Sequence, residues 1–416
     1  MKTISILIFA FQLLLGQNIL IPMDQSQNDH LKAYGITYYA LTKNVNVEWL
    51  LNYRGGAFLV DDYPFIAHQC RIRGVTTENV NALEVLSIYE SIEQNNMEIV
   101  ILEKAPKIAI YTPPGKQPWD DAVTLALTYA EVPYKTIWDP EVFSGGLGDI
   151  DWLHLHHEDF TGQYGKFYRN YRNASWYIRQ KLDFERMAME LGFSSVHEEK
   201  KAIAQTIKHY VGQGGFLFAM CSATDSYDIA LAEEGIDGAQ SVFDGTPISP
   251  NLQNKLDFSK TFAFTDFTVI TDPMVYEYSD IDFPPSNNPV THGADADYFS
   301  LFEFSAKYDP VPAMLTQNHV GIVKGFMGQT TGFHKSKIKK HIVIMGEDPA
   351  SDQVKYLHGN FGKGAFAFLG GHDPEDYQHF VGDPPTDLSL HRNSPGYRLI
   401  LNNVLFPAAK KKERKT

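Results

Sequence analysis

The stretch Gly214-Gly215-Phe216-Leu217-Phe218-Ala219-Met220-Cys221-Ser222-Ala223-Thr224-Asp225 decides the fold. Two glycines end a helix, and five apolar residues follow without a polar break. Such a run reads as a strand buried on both faces of a sheet. It stops at a thiol, and a helix is predicted at once over 225–233. Strand, sharp turn, nucleophilic side chain and helix form the nucleophile-elbow pattern, here with Cys in place of Ser. The turn would hold the Cys221 sulfur above the carboxyl edge of the sheet, where α/β proteins bind ligands. The helix N-terminus behind it would favour the thiolate and lower its pKa. The backbone N–H of Ser222 is then the natural oxyanion donor. The structural alternative is a small buried core cysteine.

The same rhythm extends in both directions. Buried-type strands are predicted at 107–111, 135–138 and 151–155, with helices at 121–131, capped by Asp120, and at 200–212. Downstream, strands are predicted at 341–345, 354–357 and 364–369, before a final helix over 395–405. Alternating strands and helices imply a parallel sheet covered on both faces. Residues 18–104 read as a small N-terminal α/β subdomain. The core occupies 105–235 and 336–408. It is interrupted at 236–335 by a loop-rich, β-rich insertion, inferred from Phe262-Ala263-Phe264, Thr268-Val269-Ile270 and Phe302-Glu303-Phe304.

Two further segments carry chemistry. Gly370-Gly371-His372-Asp373-Pro374-Glu375 follows a buried strand. His372 there can act as base for a thiol, with Asp373 or Glu375 orienting its ring; the plain alternative is a loop histidine beside a proline turn. His154-Leu155-His156-His157-Glu158-Asp159 ends the strand at 151–155. His154 and His156 fall on one face of that strand. Three imidazoles and two carboxylates in six residues suit a transition metal, with His154, His156 and His157 as ligands, and equally suit substrate binding. No cofactor is required by this reading, and a divalent metal is the optional one. Lys116, Trp119 and Asp120 are expected to line a pocket at the same edge, or simply to start a helix. Ser144-Gly145-Gly146-Leu147-Gly148-Asp149 lacks the residues of a pyrophosphate loop and reads as a turn.

The 416 residues are 44% hydrophobic and 13% aromatic, enough for a large core, and the formal charge of -14 argues against a nucleic-acid partner. Met1-Lys2-Thr3, an apolar run from Ile4 to Leu15 and Gly16-Gln17 read as a signal peptide over 1–17. The expected address is therefore the periplasm, the cell surface or the medium, with no transmembrane segment after the signal. Cys70 and Cys221 are the only cysteines; they are placed in different domains and read as free thiols. Residues 409–416 read as a solvated basic tail.

On these residues, the core resembles the class I glutamine amidotransferase-like superfamily: strand, Cys elbow, helix, and later strand-Gly-His. The resemblance implies a parallel, flavodoxin-like sheet and a Cys-dependent hydrolase of an amide or related acyl bond, with Cys221 as nucleophile and His372 as base. Ala219 and Ala223 flank Cys221 where the glutaminases carry Gly, and Asp373-Pro374 separates His372 from Glu375. The whole chain is also similar to exported bacterial proteins commonly labelled asparagine synthetase B, through Ile21-Pro22-Met23-Asp24, Asn52-Tyr53-Arg54-Gly55-Gly56 and His156-His157-Glu158-Asp159-Phe160. Synthetases of that class use ATP and a mature N-terminal Cys. Cleavage here would expose Gln17 or Asn18, so ATP-dependent synthesis is not expected. The alternatives are a non-catalytic metal- or ligand-binding relative using the histidine cluster, and a cell-surface carbohydrate-associated module. Substrates would be small molecules, glycans or peptides.

Overall fold

A computed structural model describes residues 17–115, 117, 119–283, 298–326, 328–376 and 382–410. The signal segment, apart from Gln17, most of the basic tail and Lys116 lie outside these residues. The chain is mixed α/β. The first five strands, β1 (Asn18–Ile21), β2 (Val47–Leu51), β3 (Ala57–Asp61), β4 (Glu78–Val80) and β5 (Glu98–Leu102), form an antiparallel sheet in the order β4-β1-β3-β2-β5.

A second sheet carries the site. Its parallel part contains β6 (Ile108–Tyr111), β7 (Lys135–Ile137), β8 (Trp152–Leu155) and β9 (Phe216–Met220). Strands β10 (Tyr298–Leu301), β11 (Ile322–Lys324), β12 (Phe333–His334), β13 (Val343–Glu347) and β14 (Gln353–Phe361) are antiparallel additions, and β15 (Gly364–Leu369) returns to the parallel part. The order is β11-β10-β13-β14-β15-β9-β8-β6-β7, with β12 pairing on β14. The five strands from β15 to β7 are mutually parallel.

Side-chain alternation sorts the sheet into two faces. Trp152, Phe216, Phe218 and Met220 share one core with apolar residues of the first sheet and with the helices Ala122–Ala130 and Pro395–Leu405. Leu153, Leu155, Leu217 and Ala219 pack with the helices Val196–Gln213 and Ser222–Ala232. Both faces are covered, which is why β9 is buried at every residue and reads as a continuous apolar run. Because the five strands run the same way, the segments that start at residues 112, 156, 221 and 370 all emerge at one edge.

Three local expectations change. Asp121, not Asp120, caps the helix Ala122–Ala130: its side chain accepts from the Thr124 N–H at 2.9 Å. The helix after Cys221 begins immediately, at Ser222. The insertion is mostly turns and loops among its described residues, with β10, β11 and β12 its only named strands there. Phe262-Ala263-Phe264 does not need a strand partner, because the buried Asp228 carboxylate accepts all three of its backbone N–H groups.

Candidate functional site

Cys221 sits at the end of β9 with φ +50° and ψ −137°, a backbone conformation that L-residues avoid. The sharp turn read from sequence is therefore present. Its Sγ accepts a hydrogen bond from the Gln329 N–H at 3.3 Å. A Cβ on Gly328 would stand 3.0 Å from that sulfur, so residues 328–330 lie as a strap directly over it. Thr330 Oγ1 donates to Asp225, one turn along the helix from the cysteine. Burial pushes the Cys221 thiol up to about 11, although the Thr330, Gln329 and Ser222 N–H groups favour the thiolate. This reverses the expected lowering: the strap removes water from the sulfur, and desolvation outweighs the helix terminus. Cys70 is also free and buried, in the helix Pro64–Arg73 of the N-terminal region.

His372 is placed against the histidines that follow β8. Its Nε2 stands 2.8 Å from His157 Nε2, and its ring lies 4.5 Å from that of His156. Gly371, with φ +100°, makes this approach feasible, since a Cβ there would meet the Phe326 carbonyl at 2.4 Å. The two residues expected to orient His372 have other partners. Asp373 accepts from the Glu375 and Asp376 N–H groups and from Thr386 Oγ1, which makes it a turn-forming carboxylate. Glu375 pairs with His391 at 3.1 Å.

The second and third sequence signals thus merge into one cluster. His156 stacks on His157 with centroids 3.9 Å apart. His157 Nε2 also stands 2.9 Å from the Asp120 carbonyl. His156, His157 and His372 form one group whose donor atoms lie within mutual reach of a single ion. Asp121, His154 and His156 form another. Asp121 Oδ2 is 3.4 Å from His154 Nε2 and 3.5 Å from His156 Nδ1. Burial would raise Asp121, but His154 and His156 beside it hold its carboxyl well below the usual range. Glu158 accepts from the His156 N–H at 2.7 Å, and burial pushes it up to about 8.

A cavity of about 60 Å³ adjoins the cluster, lined in part by Gln117, Trp119, Asp120, His157, Glu158 and Phe167. That volume admits a few waters or a small polar group. Trp119 lines it, 5.5 Å from the His157 ring and 5.4 Å from Phe167. Ser222 is buried at the first turn after Cys221. Two contributors escaped the sequence reading. Asp121 was legible only as helix-start chemistry, and nothing in residues 328–331 signalled that they cover the thiol.

No known family model matches the chain, and no curated protein matches it either. Among solved structures, a cytoplasmic protein from Salmonella typhimurium aligns at 10% identity, over 74% of this chain and 100% of its own, with a TM-score of 0.33. A second, from Salmonella typhimurium LT2, aligns at 12% over 73% and 100%, also at 0.33. A catalytic mutant of Gan42B, a GH42 beta-galactosidase from G. stearothermophilus, aligns at 11% over 66% of this chain and 28% of its own, with a TM-score of 0.25. No helix of the described residues is long and apolar enough to cross a membrane.

Proposed function

We propose that this protein binds a divalent transition metal through His156, His157 and His372, and holds a small polar molecule in the adjoining cavity. The observation that carries the reading is the convergence of three imidazoles from the ends of two parallel strands, β8 and β15, within ligand reach of one another. Three nitrogen ligands suit zinc and leave a coordination position for water or a ligand. A metal so held would supply Lewis acidity to a bound carbonyl or phosphoryl oxygen. The strand order supports the wider frame. Counting only the parallel strands in chain order, it reads 2-1-3-4-5, the flavodoxin-like order, and β6 and β8 flank the switch point where such sheets bind ligands. The Cys elbow on the fourth of these strands supports kinship with the class I glutamine amidotransferase-like proteins, and the leader read at 1–17 supports export.

Equilibrium dialysis of tag-free protein against Zn²⁺ tests the metal reading. The wild type should retain zinc, and His372→Ala should bind it roughly a hundredfold more weakly or worse. Equal binding by the two would remove it.

The strained backbone at Cys221 favours a second reading, acyl transfer through a thiol nucleophile. It requires His372 to leave His157 and residues 328–330 to move off the sulfur. Iodoacetamide modification of native Cys70→Ser protein at neutral pH, blocked by a small amide, would support it. No modification under those conditions would count against it.

A further inference from the structure

His154 poses a problem of electron pairs. It is fully buried, and its Nδ1 stands 3.0 Å from the Phe218 carbonyl oxygen. A carbonyl only accepts, so Nδ1 carries the hydrogen. In the neutral ring Nε2 would then turn a lone pair toward the Asp121 carboxylate 3.4 Å away, so this contact is attractive only with a positive charge in it, a proton or a metal ion. His156 Nδ1 stands 3.5 Å from the same oxygen. Electron-rich atoms collected around one point in a buried site need a cation between them. A histidine whose second nitrogen is fixed on a backbone carbonyl is also the usual posture of a metal ligand. Asp121 is itself held in place, since its other oxygen caps the helix Ala122–Ala130 through Thr124.

We infer that Asp121, His154 and His156 hold a second divalent transition-metal ion, so that the centre is dinuclear with His156 shared between the two ions. Each ring nitrogen of His156 has one lone pair, so serving two ions means one nitrogen to each. The ring proton is released to solvent, and an imidazolate bridges the pair. This inference rests on the metal reading of His156, His157 and His372, and extends it.

Metal stoichiometry separates the two. Tag-free wild-type protein loaded with Zn²⁺ and desalted should carry two ions per chain. Asp121→Asn, which keeps the helix cap, should carry one, with a circular dichroism spectrum like that of the wild type. Loading with two equivalents of Cu²⁺ adds a readout that a structural role would not move. An imidazolate-bridged pair should show less than half the electron paramagnetic resonance intensity expected for its copper, and Asp121→Asn should show the full signal of a single ion. One zinc per chain in the wild type, lost in His372→Ala, would overturn the second ion and leave the first reading standing; His154 would then share a proton with Asp121. Two ions in both wild type and Asp121→Asn, or an uncoupled two-copper spectrum, would also overturn it. No zinc in the wild type would remove both.

Discussion

Two pairs of stacked histidines sit among the described residues, and they differ in what faces their nitrogens. His30 and His319 stack at 4.5 Å where the N-terminal subdomain meets the C-terminal helix. His30 Nδ1 meets Asn393 Oδ1, its Nε2 meets the Met23 and Asp24 carbonyls, and the buried Arg398 reaches His319 Nδ1, the same Met23 carbonyl and the Gly55 carbonyl. That pair is a structural joint supplied with fixed partners from the backbone. His156 and His157 stack at 3.9 Å at the sheet's carboxyl edge, and around them stand His372, His154 and the Asp121 carboxylate. His154 and His157 each turn one nitrogen to a backbone carbonyl, of Phe218 and Asp120, but the cluster's donor atoms also gather on one another and on a carboxylate. The difference teaches that burial alone does not mark a functional histidine; the chemistry of what its nitrogens face does.

The contrast breaks most sharply through metal binding. His156→Ala should lose zinc affinity by well beyond the ~100-fold that removing an outer-shell partner costs, as measured by competition with a chromophoric chelator. Arg398→Met should leave zinc affinity unchanged while lowering unfolding free energy by about 3 kcal/mol in urea titrations, because it strands buried carbonyl oxygens at the joint. If Arg398→Met also lost zinc, the two regions would not be separable.

Cys221 sharpens the comparison from a third position. With its thiol pushed up to about 11 by burial, iodoacetamide should modify it at pH 8 roughly a hundredfold more slowly in the folded Cys70→Ser protein than in urea. Folding here favours the thiol, so stability declines as pH rises from the unfolded value toward 11. A rate equal to that of the unfolded chain would show the strap to be open. The smallest effect belongs to the joint. Burial and Arg398 lower His30 to about 4. The unfolded state then binds the extra proton first, so stability is complete above about 6.5 and falls as pH drops toward 4. Between pH 6.5 and 5 His30 should account for about 1.5 kcal/mol of the loss, a share absent from His30→Asn, while His319, lowered to about 3 by burial, Arg398 and His30, adds its own.

Much of the sheet was legible because its strands are buried on both faces. Phe216–Met220, Gly364–Leu369 and the helix Pro395–Leu405 coincide with the apolar runs that announce them. The turn at Cys221 was legible for the same reason: the run stops at one residue, and a helix starts there. The partnership of the site residues was not. His372 and Cys221 share an edge, which the order of strands implies, but which neighbour His372 meets depends on the Gly371 backbone and on rotamers that no sequence pattern encodes. Asp121 read only as the first residue of a helix, which hid both its capping oxygen and the one that faces the histidines. The insertion misled because Phe262-Ala263-Phe264 looks like a strand, whereas Asp228, 34 residues earlier, satisfies its backbone.

The most direct test is a crystal of tag-free protein grown with Zn²⁺ and measured on both sides of the zinc absorption edge. An anomalous peak bounded by His156, His157 and His372 is the predicted result. Full side-chain density for those three histidines with no peak among them would contradict the metal centre and return attention to Cys221.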